Sequence, residues 1–162
     1  MKIQTRLVYP ALIAAIYATL TIFLAPWGYG PVQLRFAEAL CVLPFFSPFA
    51  VAGVSIGCLI ANIASPYGLL DMAVGTSATL ISAMLTYCCS KIKKGFFIAP
   101  WPPVVINAVF IGALIAYSGT AEQAFWPNFW FNACSIFISQ ALVCCVLGYP
   151  MMFALRKNNI LK

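Results

Sequence analysis

Residues 70–89 read LDMAVGTSATLISAMLTYCC, and residues 90–94 behind them read SKIKK. The first stretch carries one carboxylate, Asp71, near its start and no other charge. An apolar run of about 20 residues is the length of helix that crosses the hydrocarbon core of a bilayer. The lysines that follow mark the side on which it stops. Working outward from this segment, the same pattern recurs at about 7–25, 33–47, 49–64, 102–118 and 128–154. Pro26, Pro48, Pro66, Pro100 and Pro127 fall at the joints, where a missing backbone N–H costs least.

Composition agrees with that reading. Of 162 residues, 64% are hydrophobic and 7% are charged, whereas soluble domains carry about a quarter charged residues. No water-soluble fold of this length could hide so much apolar surface, so lipid must cover it. The predicted fold class is therefore all-α: an integral membrane bundle of six transmembrane helices, with residues 1–162 as a single domain in the cell membrane. Met1 to Arg6 and the run behind them imitate a secretory signal, but the run is long and more spans follow, so it is read as a retained first helix. The segments 33–47 and 49–64 are short, and a re-entrant hairpin over both would leave the termini on the same side.

The net charge of +6 would suggest nucleic acid in a soluble protein. Here Lys2 and Arg6, then Lys91, Lys93 and Lys94, then Arg156, Lys157 and Lys162 all fall on one face of a six-span bundle. The opposite loops at 26–32, 65–69 and 119–127 contain no Lys or Arg. The excess of positive charge then puts both termini in the cytoplasm and excludes a nucleic-acid partner. Trp27, Tyr67, Trp126 and Trp130 sit at the outer ends, as an interfacial aromatic belt does.

Much familiar chemistry is missing. The chain has no histidine, no nucleotide-binding loop and no cysteines at metal spacing, so neither cofactor nor metal is expected and an enzyme is not. Seven cysteines, at 41, 58, 88, 89, 134, 144 and 145, read as small apolar packing residues. What remains is a set of polar groups inside apolar spans, where ionisable side chains are expensive and mark function or pairing. Arg35 and Glu38 are three apart at the outer start of the second span and can neutralise each other or cradle a ligand. Asn62, Asp71, Asn107, Asn132 and Gln140 gather toward the same outer side, with Gln33 beside Arg35. Helix capping for Asp71 and Asn128, and bridging between helices for the deeper amides, are the competing uses. Gly75, Thr79, Ser82 and Thr86 form a small-residue packing face. Ala11, Ala14, Ala15 and Ala18 recur at helical spacing on the first span, where small residues let another helix approach closely.

The stretch from Gly30 to Pro44, GPVQLRFAEALCVLP, resembles the G-x-x-Q-x-R-x-x-E-A-L-x-x-L-P signature of the QueT family. So do Gly57 with Asn62, Gly68 with Asp71, Gly75 and Thr79, Trp101-Pro-Pro with Asn107, and Leu147-Gly-Tyr-Pro150. The resemblance runs from about Tyr9 to Leu155. It implies the substrate-binding component of an energy-coupling factor (ECF) transporter, binding a queuosine precursor of the deazaguanine type. It also implies as partners a transmembrane ECF subunit, docked on the alanines of the first helix, and two ATPase subunits. Where many members of that family carry an acidic residue in the sixth helix, this chain has Gln140, so either Glu38 is the remaining acceptor for the ligand or the ligand differs. The alternatives are another purine-like or vitamin solute, or a membrane thiol oxidoreductase using Cys88–Cys89 or Cys144–Cys145. A channel is disfavoured because no ring of pore-lining residues repeats.

Overall fold

The computed structural model describes residues 3–28, 34–119 and 124–158, and among them every regular element is a helix. In chain order these are α1 (Ile3–Phe23), α2 (Ala25–Gly28), a 3-10 helix (Phe36–Phe45), α3 (Phe49–Asn62), α4 (Gly68–Cys89), α5 (Gly95–Ile98), α6 (Trp101–Ser118), α7 (Phe125–Val143), a π turn (Cys144–Gly148) and α8 (Tyr149–Asn158). Three helical stretches are long and apolar enough to cross a membrane: Gly68–Cys89 with 22 residues, Gly95–Ser118 with 24 and Phe125–Lys157 with 33. Leu7–Phe23, Phe36–Phe45 and Phe49–Asn62 are shorter apolar helices.

The second segment departs from the expected α-helical span over 33–47. Its 10-residue 3-10 helix rises about 2.0 Å per residue, or roughly 20 Å in all. That falls short of a hydrocarbon core about 30 Å thick. The final segment departs in the other direction, because α7, the π turn and α8 run on continuously. Pro150 explains the π turn. A proline ring clashes with the carbonyl four residues earlier and offers no N–H, and a widened turn just ahead of it relieves both problems.

Each helix of the series α1, α3, α4, α6 and α7 packs against the next, and the 3-10 helix touches α1, α3, α4, α7 and the π turn. Met151 and Leu155 of α8 close the bundle by packing on a cluster that includes Ile13, Tyr17, Val54, Cys58 and Ala83. The approach of α1 to α3 is unusually close. A Cβ placed on Gly57 would stand 2.8 Å from the Tyr17 Cβ and 2.9 Å from the Ala14 carbonyl oxygen, and Gly53 is equally crowded by Ile13 and Pro10. Gly53 and Gly57 are one turn apart, the small-residue spacing that brings helices together in lipid.

This contact divides the alanine stripe. Ala14 and Ala18 are buried inside the bundle and are not available to a partner, whereas Ala11 and Ala15 are exposed beside Leu12 and Ile16. The exterior is otherwise apolar, with Phe23, Leu69, Phe131 and Ile138 among its most exposed side chains. One end gathers basic residues and aromatics: Arg156 lies over the Phe96 ring at 5.2 Å, Lys91 over Tyr87 at 5.1 Å, and Phe96 meets Phe45, Phe97 and Phe153 edge to face. The Tyr149 hydroxyl donates to the Phe97 carbonyl at 2.7 Å and ties α8 to α5 there. Two of the three basic clusters thus share an end.

Candidate functional site

A 3-10 helix has three residues per turn, so side chains three apart stack in a column. Arg35, Glu38, Cys41 and Pro44 are such a column, and the packing around it leaves Glu38 and Cys41 with no exposed surface. Arg35 Nε lies 3.7 Å from Glu38 Oε1. The Tyr17 hydroxyl, from α1, donates to the same oxygen at 2.8 Å, and the Cys41 thiol donates to Oε2 at 3.1 Å. Both carboxylate oxygens of Glu38 are therefore engaged. The Cys144 thiol also reaches the Glu38 backbone carbonyl at 3.8 Å.

From this centre a line of polar groups runs toward the start of α4. Arg35 Nη2 donates to Asn62 Oδ1 at 3.4 Å, and Asn62 Nδ2 donates to the Asp71 carbonyl oxygen at 3.0 Å. Ser65 donates to Asp71 Oδ2, and the Ser65 hydroxyl oxygen accepts from the Tyr67 backbone N–H at 3.2 Å. Cys58 lies against the line, accepting from Thr79 at 3.2 Å and from Asn62 at 3.4 Å. Asp71 is not a helix cap: Tyr67 holds the cap position of α4, and no side chain bonds there. Partial burial, with the Asp71 carboxylate close by, holds the Tyr67 phenol above its ordinary pKa range.

Two further polar groups lie between α6 and α7. Deep in the bundle, Asn107 Nδ2 donates to Gln140 Oε1 at 3.2 Å and bridges the helices. Nearer the start of α7, Asn132 Nδ2 donates to the carbonyl and side-chain oxygens of Asn128 one turn earlier, at 2.8 and 2.7 Å. These two asparagines line a groove of about 300 Å³ with Tyr67, Ile115, Ser118 and Phe131, the lower end of the range for small-molecule pockets, about 300–1,000 Å³. A close crossing separates the groove from the deeper pair, for a Cβ on Gly112 would meet the Ala133 Cβ at 3.0 Å.

The structure thus joins Arg35, Glu38, Asn62 and Asp71 in one connected line and sets Asn107 with Gln140 in another place. Asn132 lies apart from both at the groove, and Gln33 falls outside the described residues. Tyr17, Cys41, Cys58 and Ser65 were not among the expected site residues. Tyr17 had a readable signal, since a phenol in mid-helix within an apolar span needs a hydrogen-bond partner. Two atoms in these groups are buried without a partner, the acceptor Asp71 Oδ1 and the donor Gln140 Nε2. Buried polar atoms of this kind are rare and call for an explanation. Among the described residues no cluster of His, Cys, Asp or Glu could hold a metal ion.

An apolar helical bundle with a recessed line of charge and amides is the build of a membrane protein that handles a small polar solute. Residues 7–157 match the QueT transporter family, and the chain belongs to it. It is 33% identical over 107 residues to the queuosine precursor transporter QueT of Lactococcus lactis subsp. cremoris (strain MG1363), a match covering 64% of this chain and 61% of that protein. No solved structure matches the chain. Membership of a transporter family sets aside the thiol oxidoreductase alternative.

Proposed function

We propose that this chain is the substrate-binding component of an ECF transporter that takes up a queuosine precursor of the 7-deazaguanine type. The observation that carries the reading is the buried line from Glu38 through Arg35 and Asn62 to Asp71, built inside a bundle of a transporter family. The solute in the name of the Lactococcus relative supports this choice. Planar heterocycles of this class need polar groups at their edges and aromatic walls at their faces. Arg35, Asn62 and Asp71 supply donors and acceptors along the buried line, and Asn132 does so at the groove, where Tyr67 and Phe131 supply rings. Asn107 and Gln140 in their separate place, with Gln33 two residues before Arg35, are the remaining polar candidates. In this reading the Arg35–Glu38 pair fixes the geometry of the line. Isothermal titration of the detergent-solubilised protein tests the ligand: 7-deazaguanine binds, and absence of binding to both 7-deazaguanine and guanine moves the ligand outside this class. Gln140 keeps open the runner-up, another purine-like or vitamin solute, because an amide cannot accept paired N–H bonds as an acid at that position would.

The chain has no nucleotide-binding motif, so energy for uphill uptake comes in this proposal from a transmembrane ECF subunit and two ATPase subunits. The transmembrane subunit docks on the exposed face of α1 at Ala11 and Ala15. In this reading six helical segments, of which the 3-10 helix is too short to cross alone, leave both termini in the cytoplasm, and the shared basic end of α4, α5 and α8 faces inward. Cysteines introduced one at a time into a variant lacking the exposed Cys88 and Cys134 and the half-buried Cys145 test this orientation. A membrane-impermeant thiol reagent added to intact cells labels Gly68→Cys and Thr120→Cys and spares Lys93→Cys. Labelling of the last from outside overturns the topology.

A further inference from the structure

We infer that Asp71, and not Glu38, is the carboxylate that touches the ligand, and that it does so through one oxygen, accepting one N–H from an exocyclic amino group. The inference rests on the proposed deazaguanine ligand and sharpens it. Both oxygens of Glu38 are already engaged, one by Tyr17 and Arg35 and the other by Cys41, and the side chain has no exposed surface. Asp71 is 3% exposed, and its two oxygens are treated unequally. Oδ2 accepts from Ser65, while Oδ1 has no partner.

The unpartnered oxygen is held in place by its surroundings. Asn62 binds the Asp71 carbonyl and Ser65 binds the other carboxylate oxygen, so the side chain cannot swing away without losing bonds. Gly75 lies one turn on, and a Cβ there would meet Asp71 Oδ1 at 2.8 Å and Asn62 Nδ2 at 2.7 Å. Any larger residue would displace the two groups. The line from Asp71 through Ser65 ends on Tyr67, a wall of the outer groove. A fixed, buried acceptor at the start of α4, linked to that groove through Ser65 and the Tyr67 backbone, suits a neutral donor that projects from a ring by one bond. With Oδ2 engaged by Ser65, its open acceptor is the single oxygen Oδ1, which distinguishes it from the paired reading of a guanine edge by a free carboxylate.

The test compares 7-deazaguanine with 7-deazahypoxanthine, which lacks the exocyclic amino group, by isothermal titration on the full chain in detergent. The wild type binds the amino compound at least about tenfold more tightly, because a site built around a donor rejects the analogue without it. Asp71→Asn keeps the volume and an acceptor for Ser65, and brings the two affinities together. Gly75→Ala, which crowds Oδ1 without changing any charge, does the same. The ratio of two affinities measured on one preparation does not depend on the fraction folded. If the wild type discriminates and both variants keep the ratio, or if the wild type binds both compounds equally, the inference is overturned while the ligand class stands. If the wild type binds neither compound, the ligand class falls and the inference falls with it.

Discussion

Glu38→Gln is expected to destabilise the protein by about 3–5 kcal/mol, the cost of leaving a buried charge without its counter-ion. Arg35 is 7% exposed and cannot lose its proton, so its charge stays in place after the substitution. The amide keeps an oxygen for the Tyr17 hydroxyl, which confines most of the loss to the ion pair and to the Cys41 thiol. The double variant Arg35→Met/Glu38→Gln removes the stranded charge, and most of the stability returns, as replacement of a buried ion pair by apolar volume commonly allows. Thermal unfolding in detergent followed by circular dichroism measures both steps. Affinity behaves differently. Both variants lose most ligand binding, because Arg35, unanchored in the first and absent from the second, no longer fixes Asn62, which in turn bonds Asp71, whose carboxylate Ser65 still holds. What binding remains keeps the preference for the amino-bearing heterocycle, since Asp71 is intact. Wild-type melting by Glu38→Gln would show that Arg35 draws its compensation from elsewhere.

The same residues show what a sequence of this kind gives up to reading and what it withholds. Apolar runs of span length are unmistakable, and the joints marked by Pro48, Pro66 and Pro100 fall at or beside the helix ends at Phe49, Gly68 and Trp101. The 3-10 helix was legible in principle. Arg35, Glu38, Cys41 and Pro44 repeat at every third position, whereas an α-helix drifts off that period. Over a single 10-residue element the two periods differ too little for an apolar pattern to separate them. The Arg35–Glu38 spacing led to the right pair, but not to its saturation. Tyr17 is 21 residues from Glu38 in the chain, and only the close crossing of α1 and α3 at Gly57 with the 3-10 helix alongside brings it there. Asp71 looked like a helix cap because it lies in a first turn. The bond from Ser65 and the open oxygen belong to tertiary structure, and no local pattern announces them. Asn62, Asn107 and Gln140 follow a simpler rule, since amides deep in lipid-exposed spans must bridge to something.

Ala15→Trp is expected to abolish uptake while leaving ligand binding by the isolated protein within about twofold of wild type, the usual scale of an exposed substitution. Four alanines at i, i+3, i+4 and i+7 cover an arc of about 100° on a helix, and in α1 that arc straddles the edge of the buried face. Ala14 and Ala18 point into the bundle, where Ala14 lies against Gly57. Ala15 is exposed beside Leu12 and Ile16, so a tryptophan there meets lipid in the free protein and strains no internal contact. A docked transmembrane subunit needs small residues on this face to come close, and an indole holds it off. The loss therefore appears in transport assays with the complete ECF complex, and in failure of the tagged subunits to co-purify. Ala14→Trp supplies the contrast. It drives the same indole into a crossing with no room for a methyl group on Gly57, so folded yield, binding and uptake fall together. Should Ala15→Trp lose binding and uptake in parallel, as Ala14→Trp does, then this face of α1 packs internally. Should uptake survive the indole, the partner grips the bundle elsewhere.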